Sequence, residues 1–513
     1  MTPSADLFEL IHSLSKNEKR YFRLFASMQE GEKHYLKLFE AVSAQKRYDE
    51  TMLIAKLKGG HFPSRFSMVK GYLYGLIIKS LRLYYDDLSV NTELRGMISA
   101  AEILFHKGLY HHGRKQIIRA KQYAISNEKF IAGIEACFWE GKAMNTMGIM
   151  KFSEKDFENV YQQGLEFSTQ QRTESEYEVC MNKLLVLTTR GGFVREADRL
   201  AAMEKIMRAP ILQDIKTATS LQSKIMFCVM HSFYNYFKGD LKVSYRYDVQ
   251  LKELFENHPR LIRELPGQYI NTLFNHIVNC VHMGHFDEAD AVVQEMKIVA
   301  TPAFFGQNAL TLGKAIVLSV RAELELCVRT AQIKRGIALV PLIESALVKY
   351  HQVINEYVFI TTYYNIAHIY FMKGNYAVSR EWLNKALNNT AILSKQDLYC
   401  MARILNLILL YELGNYELLD YALKSTHKML SRSERLFRTE HVVLNFMKKV
   451  IAGTQKRTEL VKLFLQMKKE FASIQRDPLE KNFSEYFDCI SWVESKIEGR
   501  TFEEVVREKS KKQ

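Results

Sequence analysis

A short turn that contains glycine recurs along this chain, and its spacing constrains the fold more than any other feature. The recurrences are Gly108-Leu109-Tyr110, Gly191-Gly192-Phe193, Gly239-Asp240-Leu241, Gly284-His285-Phe286, Gly374-Asn375-Tyr376 and Gly414-Asn415-Tyr416. They follow one another at intervals of about 40 to 50 residues, or at about twice that distance. The two long intervals predict two further turns that lack the glycine, near residues 151–155 and 329–336. A repeat of this length indicates stacked supersecondary units.

The segments between these turns have the pattern of amphipathic helices. In the clearest unit, Gly374 and Asn375 break one helix, because both residues tolerate left-handed backbone angles. The helix before this turn places four residues on one face, namely Ile366, Ala367, Tyr370 and Phe371. Small side chains at Ala367, Ser379 and Ala386 would let the two helices of the unit approach closely. With only 8 prolines and 24 glycines in 513 residues, the composition also favours an all-α chain over a β protein.

This unit resembles the tetratricopeptide repeat. Its signature positions are matched by Ala367, Tyr370, Tyr376, Ser379 and Ala386, and the units around Gly108 and Gly284 match similarly. The resemblance covers residues 90 to 455, with a period longer than the family's. It implies a right-handed α-solenoid of about eight hairpins like those of the tetratricopeptide repeat, with helical modules at both ends.

The sequence predicts three regions: an N-terminal basic helical module at 1–90, the repeats at 91–455, and a C-terminal helical cap with a basic tail at 456–513. Ser15 and Glu18 form a capping-box pattern that opens a helix through about Met28. A long helix is predicted over 64–85. Three closing helices are predicted after 456, the last of them with Thr501 at its N-cap.

The composition indicates the cellular compartment of the protein and the charge of its partners. No apolar run is long enough for a transmembrane helix, and no signal peptide is apparent, so no membrane span is expected. The seven cysteines are widely spaced without a CxxC motif, which favours free thiols in a reducing cytoplasm. The net charge of +14 favours acidic partners, with a generally solvated basic surface as the alternative.

No motif for catalysis or for a cofactor is present. The chain has no phosphate loop, dinucleotide-binding glycine pattern, HExxH or GxSxG motif. We therefore expect a non-enzyme without a cofactor. One cluster, His276, Cys280, His282 and His285, approaches metal-ligand spacing. Because Cys280 falls on an inward repeat position, the favoured interpretation is ordinary packing, and no metal site is predicted.

The resemblance implies a concave groove lined by residues of the first helix of each repeat. Carried over by position, the lining is Phe233, Tyr236, Phe237, Asn271, Phe274, Tyr364, His368, Phe371 and Tyr411. Aromatic side chains of this kind suit an apolar helix or a peptide anchor. The sequence thus predicts an intracellular scaffold or adaptor that binds a protein or peptide of unknown identity. The alternative for each residue is packing into the core.

Three basic regions support a second hypothesis, a nucleic-acid-associated regulator with a ligand-sensing solenoid. Neutralised phosphates release counterions, which drives binding to such faces. The candidate residues are Lys16, Lys19, Arg20 and Arg23 in the first region, Arg114, Lys115, Arg119 and Lys121 in the second, and Arg432, Arg435 and Arg438 in the third. Each region could equally be a solvated helix face. The oligomeric state is left open by the sequence.

Overall fold

The helical prediction can be compared with a computed structural model of the chain. It describes residues 5–28, 34–56, 66–87, 89–189, 194–305, 309–352, 354–389, 392, 396–432, 436–453, 456–477, 479–481 and 485–512. These residues form helices and no strand, which confirms the all-α class. Neighbouring helices pack in adjacent pairs. The chain divides into two units, Met1–Gln171 (unit 1) and Arg172–Gln513 (unit 2).

Five helices precede residue 90 among the described residues of unit 1, so this segment is helical as predicted. The helices of unit 1 are α1 Asp6–Ser13, α2 Lys16–Ser27, α3 His34–Ser43, α4 Glu50–Lys56, α5 Phe66–Tyr84, α6 Val90–His106, α7 Tyr110–Ser126 and α8 Phe130–Met147. The helix α9, Glu154–Thr189, crosses the boundary between the two units. The Ser15 capping box is present at the start of α2, because the Ser15 hydroxyl accepts from the Glu18 backbone N–H and Glu18 accepts from the Ser15 N–H.

Unit 2 contains the remaining helices. They are α10 Ala197–Met207, α11 Leu221–Lys238, α12 Leu241–Glu256, α13 Pro259–Glu264, α14 Pro266–Met283, α15 Phe286–Val299, α16 Pro302–Phe305, α17 Ala309–Arg329, α18 Ile333–Lys349, α19 Glu356–Met372, α20 Tyr376–Leu387, α21 Gln396–Glu412, α22 Tyr416–Arg432, α23 Arg438–Ile451, α24 Arg457–Ile474, α25 Cys489–Glu498 and α26 Phe502–Ser510. Short 3-10 turns lie at Ile149–Lys151 in unit 1 and at Pro210–Leu212 and Ile215–Thr217 in unit 2. The last three helices confirm the predicted closing segment, and Thr501 caps α26.

The predicted glycine turns separate helix pairs at the expected places. Positive φ angles are found at Gly108, Gly239, Gly284, Gly374 and Gly414. A turn without glycine joins α17 to α18, where Ala331 takes a φ of 52°. The other turn, between α8 and α9, is predicted to lack glycine, but it contains Gly148, which ends α8 with a φ of 107°. The Gly191-Gly192 turn lies outside the described residues.

Small residues permit the close packing of α19 on α20. Ala367, Ser379 and Ala386 are fully buried, and the Ser379 hydroxyl donates to the Ala367 carbonyl oxygen across 2.7 Å. Gly336 has the same function between α18 and α19, because a Cβ atom there would lie 2.8 Å from the Ile369 side chain. A larger residue at these positions would separate the helices.

The core of unit 2 joins the closing helices to the repeats. One hydrophobic cluster extends from Val317 on α17 to Val506 on α26, and it includes Phe487 and Trp492. The C-terminal helices therefore pack into the same core as α17–α23. Among the described helices, none combines the length and the apolar character that crossing a membrane requires.

Candidate functional site

A cavity of about 500 Å³ lies in unit 2 between α11, α14, α17, α19, residues 485–488 and α26. We call it the unit 2 cavity. Six of the nine residues predicted to line a groove lie on its wall, namely Phe233, Tyr236, Phe237, Phe274, Tyr364 and His368. The fold thus brings together aromatic side chains from three helices that are far apart in sequence.

The other three predicted groove residues lie elsewhere. Phe371 is fully buried and packs against Phe487 and Phe502 of the C-terminal segment. Tyr411 packs among the rings of Phe446, Phe464 and Trp492. Asn271 is exposed on α14 and does not line the unit 2 cavity. Phe371 and Tyr411 therefore pack in the core, because C-terminal segments of the chain cover them.

The chain's own residues 485–488 form one wall of the unit 2 cavity. The Glu485 carboxylate accepts hydrogen bonds from the His282 ring and, at 2.7 Å, from the Arg329 guanidinium. The Tyr364 hydroxyl donates to the Tyr486 carbonyl oxygen across 3.2 Å. Burial disfavours the charged form of Glu485, but His282 and Arg329 outweigh this effect and lower its pKa to about 2. A charged segment of the protein itself therefore covers part of the predicted groove.

Arg321 on α17 is the unusual cation of the cavity. Its guanidinium carbon lies 4.8 Å from the centre of the Phe274 ring and 5.9 Å from that of Tyr357. Its Nε atom is buried without a hydrogen-bond partner. Within the described part of the chain, no carboxylate forms an ion pair with Arg321. The sequence could have indicated this residue, because Arg321, Glu325 and Arg329 follow one another at four-residue spacing on one face of α17.

His368 is the second residue of this wall with a buried polar atom that has no hydrogen-bond partner. The residue is only 9% exposed, and its Nε2 atom has no partner. Burial, together with the nearby Arg329, lowers the pKa of His368 to about 3, so the ring is neutral at physiological pH. The cavity wall therefore combines aromatic surface, a neutral imidazole and a guanidinium without a counter-ion. This combination suits an apolar group that carries a negative charge.

The predicted histidine and cysteine cluster only partly comes together. His276, Cys280 and Glu288 have ligand atoms within 4.8 Å of one another, and Glu288 was missed by the sequence reasoning. His282 instead binds Glu485. The Glu288 carboxylate lies 2.8 Å from the His276 Nε2 and accepts from the Tyr245 hydroxyl, while the His276 Nδ1 has no partner. A metal-bound histidine normally donates its other N–H to an acceptor, so the contacts fit a hydrogen-bonded cluster better than a metal site.

The first basic region is largely accessible. Lys16 and Arg20 are exposed on α2, and Lys19 is half-buried. Arg23, also exposed, forms an ion pair with Glu40 at 2.7 Å. Three cations of one helical face are therefore without an ion pair among the described residues.

The second basic region is divided between the surface and the interior. Arg114 and the buried Lys121 both bind Glu140, at 2.9 and 2.6 Å. These two cations compensate a buried carboxylate. Lys115 and Arg119 are exposed on the same helix.

The third basic region is described only in part. Arg432 is exposed at the end of α22, and Arg438 forms an ion pair with Asp477 at 3.5 Å. Arg435 lies outside the described residues.

No protein-family model matches the chain, and a search of curated protein sequences also finds no match.

Proposed function

We propose that this chain is a non-catalytic binding protein, an intracellular scaffold or adaptor that holds a segment of a partner protein in the unit 2 cavity. The observation that carries the proposal is the convergence of six aromatic and imidazole side chains from α11, α14 and α19 on one cavity. Aromatic anchors in a desolvated pocket supply most of the affinity of typical protein interfaces.

The size of the cavity determines how a partner would enter. Ligand pockets commonly have volumes of about 300 to 1,000 Å³, and the unit 2 cavity has about 500 Å³. This volume accommodates one or two large side chains. Because residues 485–488 and α26 cover the rest of the wall, we propose insertion of an anchor side chain from the partner instead of an extended peptide along the whole surface.

The test compares two phenylalanine variants of the full chain. Phe274→Ala removes a ring from the cavity wall, whereas Phe304→Ala removes a partly exposed ring on α16 that does not line the cavity. Both variants are used for affinity purification from the native cell after nuclease treatment, with partners quantified by mass spectrometry. We expect Phe274→Ala to lose a stoichiometric protein partner that wild type and Phe304→Ala retain.

Two results would contradict this proposal. One is the absence of any stoichiometric partner in the wild-type purification. The other is equal recovery of the partner with Phe274→Ala, provided that circular dichroism shows both variants to be folded.

Nucleic-acid binding by α2 is the second candidate function. It is favoured by the side chains of Lys16, Lys19 and Arg20, which have no ion pair among the described residues of unit 1. If they contact phosphates, the affinity for a labelled DNA duplex falls as salt is added. A plot of the logarithm of the binding constant against the logarithm of the salt concentration then has a slope of about −0.9 per neutralised phosphate. Replacing all three with Glu should abolish this binding, whereas the exposed Arg208→Glu control should preserve most of it. Absence of binding, or binding that does not depend on salt, would exclude this role.

A further inference from the structure

We infer that the unit 2 cavity is a carboxylate-binding site, in which Arg321 receives a carboxylate carried by an apolar segment of the partner. This inference rests on the proposed function and names the chemistry of the anchor. Its carboxylate has two sources, an Asp or Glu side chain or the C-terminus of the partner chain.

The first argument is the missing counter-ion. Two other buried or partly buried arginines of unit 2 are compensated by carboxylates, whereas Arg403 donates to the neutral hydroxyl of Ser425. Arg195 binds Glu440 and Glu480, and Arg329 binds Glu485. Arg321 has no such partner among the described residues, and its Nε atom is buried without a hydrogen bond. A partly desolvated charge without compensation is costly, and an incoming anion would relieve that cost.

The second argument is that the carboxylates already in the cavity wall are occupied. Glu325 accepts from the Asn365 amide at 2.6 Å, and Glu485 is held by His282 and Arg329. Asp488 accepts from backbone and side chain of Ser491 at the start of α25. Among the described residues, none of these acids lies within 4.0 Å of the Arg321 guanidinium nitrogens.

The third argument is the geometry around the guanidinium. The rings of Phe274 and Tyr357 lie on it at 4.8 and 5.9 Å, which restricts its orientation. A guanidinium held in this way can offer two parallel N–H donors to a carboxylate. A single guanidinium matches the single charge of a carboxylate, whereas a phosphate would bring about two charges. The lysine of the wall, Lys509, is paired with Glu494.

The fourth argument is an internal example of the same recognition. Glu485 is bound by Arg329, which lies two helical turns beyond Arg321 on α17, and Glu485 is followed by Tyr486 and Phe487. The unit 2 cavity thus already accommodates an acidic residue followed by aromatic residues. A partner segment that places a carboxylate at Arg321 beside an apolar side chain would use the same chemistry.

The test uses two probes of the same shape, 3-phenylpropanoate and its amide 3-phenylpropanamide. Their binding to the full chain is measured by ligand-observed NMR for wild type, Arg321→Gln and the exposed control Arg208→Gln. We expect wild type and Arg208→Gln to bind the acid about tenfold more tightly than the amide, and Arg321→Gln to lose this preference. If Arg321→Gln does not fold, Arg321→Lys is used, which keeps the charge but removes the fork and should weaken binding of the acid.

Three results would overturn the inference. They are no binding of the acid, equal binding of acid and amide by wild type, and an unchanged preference for the acid in folded Arg321 variants. When a partner is available, amidation of its C-terminus and Asn or Gln substitution of its acids distinguish the two carboxylate sources.

The failures of the two proposals are distinguishable. If a partner binds wild type and Arg321→Gln equally, the carboxylate anchor is wrong and the partner-binding function stands. If the acid binds through Arg321 but no protein partner is found, the carboxylate site stands and the partner-binding function is wrong.

Discussion

Glu485→Gln removes the charge that fixes the C-terminal segment in the wall of the unit 2 cavity. The wild-type carboxylate is bound by His282 and Arg329, and its pKa is lowered from 4.5 to about 2. The side chain is 19% exposed, so solvent screening is small. A difference of about 2.5 pKa units corresponds to about 3 kcal/mol of folding free energy at pH 7. We therefore expect the variant to lose about 3 kcal/mol.

The effect has a defined pH dependence. Because the pKa of Glu485 is lower in the folded state, its stabilisation is fully present above about pH 4.5 and is lost as the pH falls toward 2. The difference in unfolding free energy between wild type and variant should decrease from about 3 kcal/mol at pH 7 to about 2 kcal/mol at pH 3.5.

The assay is urea unfolding followed by tryptophan fluorescence in a Trp139→Phe background. Trp139 is the tryptophan of unit 1, so the remaining Trp382 and Trp492 report on unit 2. The control is Glu253→Gln, an exposed acid on α12, which should change the free energy by less than about 0.5 kcal/mol. A loss below about 1 kcal/mol at pH 7, or a loss that does not shrink in acid, would refute the reasoning.

Three further predictions concern stability. Arg195→Met leaves the two buried carboxylates of Glu440 and Glu480 uncompensated and should cost about 3 to 5 kcal/mol in urea unfolding, whereas replacing both acids by Gln as well should recover much of the loss. Gly336→Val places atoms against α19 and should cost about 1 to 3 kcal/mol, seen as a lower midpoint of thermal unfolding. Phe371→Ala should cost about 3 to 5 kcal/mol because the ring is fully buried, and an effect below 1 kcal/mol would contradict its core position.

The sequence by itself determined the local features of this protein. Glycine recurs where a positive φ ends a helix, and the described turns at Gly108, Gly239, Gly284, Gly374 and Gly414 have that backbone conformation. The turn between α17 and α18 lacks glycine as predicted, whereas the turn between α8 and α9 contains Gly148. These features depend on the conformational preferences of a few neighbouring residues, so they can be identified without knowledge of the rest of the chain.

Tertiary structure decided which predicted site residues are accessible. Lys121 is buried because Glu140, 19 residues away, is beside it after folding. Phe371 is covered by Phe487 and Phe502 of the C-terminal segment. Helical periodicity places a side chain on one face of its own helix, but it does not say what packs on that face.

The unit 2 cavity shows the same limit most clearly. Its aromatic lining could be approximated from repeat positions, because each lining residue keeps a fixed place on its own helix. The pairing of the charged groups could not be predicted in this way, because Glu485 is separated from its partners His282 and Arg329 by 203 and 156 residues of sequence. Whether a cation has a counter-ion depends on these long-range contacts. Only the folded chain therefore distinguishes Arg329, which is compensated, from Arg321, which has no carboxylate partner among the described residues.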